Sequence, residues 1–383
     1  MAKKKKCTPC DASRLNKVGG QAVLEGVMMK AGARTVTTCR KEDGSLVVND
    51  ATFVSVRKKH KILNIPILRG FVNFIEMMML SFKTLGASAD ALGIEEEEGK
   101  CERWLKKHLG VGLVDVIMVI AMILGVALSL FLFMFLPTWA ANGIDRLVEM
   151  ITDGGGIGES WLAVIEGGMK VIIFLLYLIL VSLIPDIYRT FQYHGAEHKS
   201  IACFESGEEL TPENAKKHKR FHPRCGTSFM FLMILIGIFI GMFVRYILPG
   251  EEAFGSRILY SVVIAVTKIL LLPITMGIGY EILMIAGKHD NVLTRIISAP
   301  GLWVQRITTK EPTSDMLEVA IISIKCALRD DFPEFREFYE NREWEAHAEE
   351  SAEKTEDGEN AEVEAMPEES AEARDPEKCE GEE

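Results

Sequence analysis

The segment with the clearest chemical potential is YHGAEHK at residues 193–199. His194 and His198 are four residues apart, so on a helix their imidazoles lie on one face. Two imidazoles placed in this way can hold one zinc ion, and Glu197 lies close enough to take a proton from a water there. This is the H-x-x-E-H pattern of the reversed zincins. The segment therefore predicts a metal centre with His194 and His198 as ligands and Glu197 as the catalytic base.

A catalytic metal also needs a third ligand and one open coordination position. Residues 222–225 (HPRC) offer the imidazole of His222 and the thiol of Cys225 in the same loop. Glu281 is a second source, because an ionisable side chain inside an apolar segment usually faces a partner or a cavity. The competing interpretation is a closed structural zinc site, which would stabilise the loop without chemistry. Its four ligands would be His194, His198, His222 and Cys225.

Apolar segments on both sides of the motif must position it. A helix that crosses a bilayer takes about 20 apolar residues. Four segments qualify: 113–136, 171–184 when it is extended to 169–185, 229–248 and 258–286. The last is long enough that it must tilt, kink at Pro273 or emerge on one side. We expect the second segment to continue as a helix through Tyr188 and Phe191 into the histidine motif.

The charges between these segments predict their orientation. Residues 1–112 carry 20 Lys and Arg and the loop 186–227 carries seven, whereas the loop 138–168 carries only Arg146 among five acidic residues. Basic loops stay on the cytoplasmic side. We therefore expect a multi-pass protein of the cell membrane with both termini and the 186–227 loop in the cytoplasm. The basic residues around His218 in this loop are expected to contact anionic lipid at the inner leaflet.

The remaining regions are expected to be cytoplasmic or interfacial. Residues 35–40 and 46–56 are rich in Val and Thr and flank a turn at 41–44, which predicts a β-hairpin, and Glu25 is expected to be a surface acid. The tail has a net charge of −14 against −11 for the whole chain, which predicts disorder.

The sequence therefore divides the chain into six regions. They are a basic start (1–17), a β-containing region (18–61), an interfacial amphipathic helix (67–85) and linker within 62–112, the four-span domain (113–287), a C-terminal region (288–341) with an amphipathic helix capped at 313–315, and the acidic tail (342–383).

These features define a fold class and exclude others. We expect an α-helical integral membrane protein with about four transmembrane helices and a small β-containing cytoplasmic subdomain. A simple soluble domain is excluded by the apolar segments. The eight cysteines have no regular spacing, which excludes a disulfide-stapled secreted module and suits a reducing compartment.

The sequence also resembles the YqhQ-like family of bacterial multi-pass membrane proteins. The resemblance covers residues 19–328 and implies a metal-dependent enzyme of unknown function, a label that rests on the same histidine motif. The matching stretches are GGQAVLEGVMM (19–29), PILRGFVNFIE (66–76), YHGAEHKSI (193–201), HPRCGTSF (222–229), GYEILMIAG (279–287) and APGLWVQRITTKEP (299–312).

The function that we expect is hydrolysis of a membrane peptide or lipid by a divalent metal, with zinc first among metals that also include iron, manganese and nickel. Arg224 or Lys199 would stabilise the developing negative charge. The alternatives are a non-enzymatic scaffold or transporter with structural zinc, and a permease that uses Lys268 and Glu281. We expect the lipid bilayer as a partner and no nucleic acid, and the sequence leaves the oligomeric state open.

Overall fold

The computed structural model describes residues 14–93, 113–152, 155–222, 224–288 and 291–332. The predicted linker after residue 93, the acidic tail and most of the basic start lie outside these ranges. The strands are β1 (Val18–Val23), β2 (Gly26–Ala31), β3 (Arg34–Arg40) and β4 (Leu46–Thr52). The helices are α1 (Val56–Lys59), α2 (Leu68–Ala91), α3 (Leu113–Leu130), α4 (Leu136–Ile151), α5 (Glu159–Val181), α6 (Pro185–Glu205), α7 (Pro212–Lys217), α8 (Gly226–Ile247), α9 (Arg257–Leu270), α10 (Leu272–Lys288), α11 (Val292–Thr308) and α12 (Ser314–Ala327).

The four strands pair in sequence order as an antiparallel meander. The predicted hairpin is confirmed, because β3 and β4 pair from Arg40 and Leu46 outward. A second hairpin joins β1 to β2, and its turn contains Glu25 with a φ of 48°. A Cβ on Gly26 would lie 2.2 Å from the carbonyl oxygen of Thr38, so this position accepts only glycine beside β3.

Both faces of the sheet are covered by helices. One face packs on α6 and α12, and Ser323 of α12 donates hydrogen bonds to the carbonyls of Val27 and Val36. The other face packs on Leu80 of α2 through Val23, Met28 and Cys39. A strand that is buried on both faces does not alternate between apolar and polar residues, which explains the continuous apolar run in β2.

The helices predicted at 67–85 and after the cap at 313–315 are both present. The first is α2, which lies against α10 where two glycines meet: a Cβ on Gly70 would be 2.9 Å from the Cα of Gly277. The second is α12, whose N-cap Thr313 accepts a hydrogen bond from the amide of Met316. This helix buries its apolar face in the same core as the sheet.

Within the described ranges, three helical stretches are long and apolar enough to cross a membrane: Ile123–Ile151, Trp161–Val181 and Gly226–Ile247. The pair Leu259–Leu270 and Leu272–Ile285 makes a fourth if it counts as one span bent by 46°. The bend falls directly before Pro273, which occupies the second position of α10, where its missing N–H costs no helical hydrogen bond. The molecule is thus mostly helical, with three or four apolar spans and a small sheet.

The prediction that residues 138–168 form a loop is wrong. Most of this range is helical, since α4 runs to Ile151 and α5 begins at Glu159. Of the charges that indicated a loop, Asp145, Arg146 and Glu149 lie on the amphipathic α4, and Glu159 and Glu166 lie on α5. Asp145 is buried and accepts a hydrogen bond from the amide of Ile157. The expected continuous helix into the histidine motif is also interrupted, because α5 ends before Ser182 and α6 begins at Pro185.

Candidate metal centre

Helix α6 carries the histidine motif on a buried stretch that starts at Tyr193. The chain that follows α11 packs directly on its backbone, and the amide of Lys310 donates to the carbonyl of Phe191 at 2.8 Å. A Cβ on Gly195 would lie 2.0 Å from the carbonyl oxygen of Lys310. The glycine within the motif therefore lets the end of α11 reach the two histidines.

Each imidazole of the pair hydrogen-bonds to a main-chain carbonyl through Nδ1. His194 Nδ1 lies 2.9 Å from the oxygen of Thr308, and His198 Nδ1 lies 2.6 Å from the oxygen of Arg220. A carbonyl can only accept, so both Nδ1 atoms carry the proton, and in the neutral imidazole this tautomer leaves the lone pair on Nε2. Metal-binding histidines are commonly oriented in this way by an outer hydrogen bond. The two ring centroids are 4.4 Å apart.

Cys225 brings a thiol to the pair. Its Sγ lies 3.2 Å from His194 Nε2, and one possible ligand atom from each of His194, His198 and Cys225 lies within 4.8 Å of the other two. Nitrogen and sulfur ligands at their usual bond lengths from one zinc ion are roughly 3.5 Å apart. Cys225 also precedes the first turn of α8, where the helix N-terminus favours negative charge. Two imidazoles and a thiol in this geometry fit zinc.

His222 lies beside the group with its ring nitrogen engaged elsewhere. Its ring centroid is 5.5 Å from that of His198. Its Nε2 accepts a hydrogen bond from Arg224 at 3.3 Å and lies 3.9 Å from a carboxylate oxygen of Glu205. Burial lowers the pKa of His222, which favours the neutral imidazole. Binding a metal through Nε2 would require the ring to leave Arg224.

Gln305 of α11 is a site residue that the sequence reasoning missed. Its fully buried amide accepts from the main-chain N–H of His222 at 2.8 Å and donates to the carbonyl of the same residue at 2.7 Å. It also donates to Ser228 Oγ at 2.9 Å. The available signal was a polar residue within the matched stretch 299–312, in a run (302–307) that is apolar apart from the neighbouring Arg306. Gln305 thereby fixes the loop that carries His222 and Cys225.

Glu197 is the predicted base, and it is 5% exposed. Its Oε2 has no hydrogen-bond partner within the described residues. The side chain lies against β1, where a Cβ on Gly20 would be 3.0 Å from Glu197 Cγ. Burial raises the pKa of Glu197 to about 7, although the nearby His194 opposes this shift. A buried carboxylate oxygen with no partner is unusual and fits a group that meets a water or an ion.

The structure does not bring Glu281 to the histidines. Its carboxylate is bound by Arg69 of α2 through two hydrogen bonds of 2.6 and 2.5 Å. The planar guanidinium matches both carboxylate oxygens, and the close approach of α2 to α10 supplies it. We therefore leave Glu281 out of the ligand set, which retains His194, His198 and Cys225 with His222 adjacent.

The two basic residues expected to stabilise negative charge are engaged in ion pairs. Lys199 is buried and pairs with Glu311, which also contacts Arg220. Arg224 pairs with Glu205.

An ion pair connects the first hairpin to α6. Glu25 in the first hairpin pairs with Arg189 of α6 and so ties the sheet to the histidine helix.

A separate group of possible ligands consists of Cys203, Glu208 and His218. Burial raises the pKa of Cys203 to about 11, so this thiol stays protonated at neutral pH.

Comparison with known proteins places most of this chain in one family. A family model described as protein of unknown function (DUF1385) matches residues 65–330. The uncharacterized protein YqhQ of Bacillus subtilis (strain 168) is 34% identical over 318 residues, which cover 81% of this chain and 92% of that protein. No solved structure gives a significant match. The chain therefore belongs to the YqhQ-like family of DUF1385 proteins.

Proposed function

We propose that the protein is a membrane-embedded, metal-dependent hydrolase whose zinc ion is held by His194, His198 and Cys225. One observation carries the proposal. Both imidazoles donate Nδ1–H to fixed main-chain carbonyls, and the Nε2 of His194 is turned to the thiol of Cys225. The three ligands leave one position of a tetrahedral ion for a reactant.

Insertion in the cell membrane is part of this proposal. Only 6% of the apolar window of Ile123–Ile151 is buried within the protein. Large apolar side chains such as Ile123 and Leu124 are more than half exposed, which lipid tolerates and water does not. The charge bias of the loops supports an orientation with both termini and the histidine motif in the cytoplasm.

The chemistry follows from the residues around the three ligands. Zinc, when bound, supplies a Lewis acid that polarises a carbonyl and acidifies water. Glu197 accepts the proton of the attacking water, since its pKa near 7 leaves a useful fraction of carboxylate at neutral pH. Lys199 and Arg224 hold Glu311 and Glu205, so we assign them a positioning role. Cys225 begins an apolar span, which favours a peptide or lipid substrate at the inner leaflet.

A structural zinc site in a scaffold or transporter is the second candidate. It is favoured by the burial of His198, Glu197 and Cys225 and by the ring of His222 at 5.5 Å from His198. In that case His222 turns from Arg224 and fills the fourth position.

Metal counting on the purified full chain separates these candidates. His194→Ala, His198→Ala and Cys225→Ser are each expected to reduce bound zinc from about one ion per chain to near none. His218→Ala, in the separate Cys203 group, is the matched control and retains the metal. Full retention in all three ligand variants contradicts the site.

Two further variants separate catalysis from structure. His222→Ala keeps its zinc if the fourth position is open and loses it if the site is closed. Glu197→Gln keeps its zinc in either case, and it abolishes hydrolysis of a peptide or lipid-ester library only if the protein is an enzyme. Activity that survives in Glu197→Gln removes the assigned base.

A further inference from the structure

A second charged cluster lies among the apolar helices, away from the metal centre. Glu166 of α5 is 2% exposed. Its carboxylate accepts hydrogen bonds from Lys170 at 2.8 Å, Arg245 at 2.8 Å and Lys268 at 2.7 Å. One carboxylate thus serves three cations, which leaves an excess of positive charge inside an apolar environment.

Two of these cations also line a cavity of about 700 Å³. The sequence left open whether Lys268 pairs with an acidic residue or faces a cavity. In the structure Lys268 both pairs with Glu166 and lines this cavity. Arg245 is 8% exposed, and its Nε has no hydrogen-bond partner in the part of the chain that the structure describes. Arg146 adds a third positive charge to the lining, while Asp145 is the acidic residue there and accepts from the amide of Ile157.

The rest of the cavity wall is largely apolar and aromatic. It includes Phe135, Trp139 and Ile264, which come from α9 and the end of the first apolar stretch. A volume of this size is typical of a small-molecule site. The combination of a cationic floor and an apolar wall fits a ligand with an anionic end and a hydrocarbon end.

The cavity is remote from the histidines. Cys225 precedes α8 and Arg245 lies near its end, and 20 residues of helix span roughly 30 Å. The two sites therefore lie at opposite ends of one apolar helix. In the orientation proposed above, the cavity opens in the outer half of the bilayer.

We propose that this cavity binds an anionic lipid, with the phosphate of the head group on Arg245 and Lys268. Uncompensated cations within a membrane are costly and commonly mark a ligand or ion site. A phosphate would supply the missing negative charge and a hydrogen-bond acceptor for Arg245 Nε. Acyl chains would follow the apolar wall at Phe135 and Trp139 to the exposed surface of the first span.

The test measures lipid binding to the purified full chain in a neutral detergent, by native mass spectrometry. The probes are phosphatidylglycerol, phosphatidylcholine and inorganic phosphate. Phosphatidylglycerol is expected to bind at least about tenfold more tightly than phosphatidylcholine, and inorganic phosphate is expected to compete weakly. Equal binding of the two lipids overturns the proposal, and so does displacement of the lipid by phosphate at equal concentration, which indicates a soluble anion.

Variants locate the binding. Ala265→Trp fills the cavity without removing a charge and should lower phosphatidylglycerol affinity about tenfold. Val266→Trp, on the neighbouring position that is 48% exposed and outside the lining, should leave the affinity unchanged. Lys268→Gln is the second probe, because Glu166 keeps Lys170 and Arg245 as partners, and it should also lower the affinity. Wild-type affinity in both Ala265→Trp and Lys268→Gln overturns the assignment.

Discussion

Gln305 holds the main chain of His222 by both its N–H and its carbonyl, at 2.8 and 2.7 Å. A single buried side chain of α11 thereby fixes a loop 83 residues earlier in the sequence. Because Cys225 lies three residues further along, the position of the thiol relative to the histidine pair depends on this contact. The proposed metal centre would thus be assembled by α6, by the loop and by α11 together.

The first prediction concerns this contact. Gln305→Met keeps the volume and removes the hydrogen bonds, which leaves buried main-chain groups unpaired at a cost of about 1–3 kcal/mol. We expect a lower midpoint of unfolding and faster loss of metal to a chelator. Gln192→Met is the control, because that amide meets the carbonyl of Glu311 at the surface. Equal effects of the two substitutions would show that Gln305 does not position the loop.

The second prediction concerns the glycine inside the histidine motif. Gly195→Ala places a methyl group 2.0 Å from the carbonyl oxygen of Lys310, so α6 and the end of α11 must separate. We expect a marked loss of stability and of the hydrogen bond from His194 to Thr308. Gly86→Ala in α2 meets nothing within 4 Å and should be neutral or stabilising by about 0.5–1 kcal/mol. Thermal unfolding of both variants measures the contrast, and a stable Gly195→Ala would contradict the close packing.

The third prediction separates Glu281 from the metal. Glu281→Gln and Arg69→Met should each lower the melting temperature, and the double variant should lower it by less than the sum of the two effects, because they break the same pair. Both single variants should retain the full complement of zinc. Loss of zinc in Glu281→Gln with retention in Arg69→Met would restore the carboxylate to the ligand set.

The fourth prediction is a pH dependence at Glu311. Burial alone would raise the pKa of this carboxyl, but the hydrogen bonds and charges of Lys199 and Arg220 hold it below its ordinary value of 4.5. The carboxylate therefore stabilises the native state above pH 4.5, and this stabilisation is lost as the pH falls through the lower pKa of the folded protein. The stability deficit of Glu311→Gln should be present at pH 7 and shrink in acid, measured by unfolding at each pH. The exposed Glu213→Gln serves as the control, and a deficit that grows in acid would reverse the assigned sign.

The fifth prediction tests the orientation. In a background whose native cysteines outside the described ranges are replaced by serine, Gly158→Cys and Ser256→Cys lie in exposed connections at one end of the apolar helices. A membrane-impermeant maleimide should label both in intact cells. Lys216→Cys in α7 should react only after the membrane is permeabilised. The reverse pattern would place the metal centre outside the cytoplasm.

Local features of the structure could be predicted from the sequence. The four-residue spacing of His194 and His198, the turn of the β3–β4 hairpin and the cap of α12 at Thr313 each depend on neighbours within a few residues. The bend near Pro273 could also be predicted locally, because proline fixes its own φ angle and lacks the N–H that would continue a helix.

Contacts between residues that are far apart in the sequence could not be predicted from local patterns. Arg69, the partner of Glu281, lies 212 residues away, and a carboxylate in an apolar segment looks the same whether it meets an arginine or a metal. The carbonyls of Thr308 and Arg220, which set the tautomers of the histidines, are main-chain atoms that no residue type reveals. The charges of α4 indicated a solvated loop. The sequence does not show that tertiary contacts bury Asp145 on a helix.

The covering of the β-sheet by α12 has a consequence for biosynthesis. The last strand ends at Thr52, whereas the helix that closes one face of the sheet ends at Ala327. Ribosomes add roughly 5–20 residues per second. This apolar face therefore stays uncovered for on the order of 15 to 55 s while the intervening helices and α12 are synthesised. During that interval the nascent chain exposes an apolar strand surface that can aggregate, and a chaperone that shields the first fifty residues would raise the yield of the finished protein.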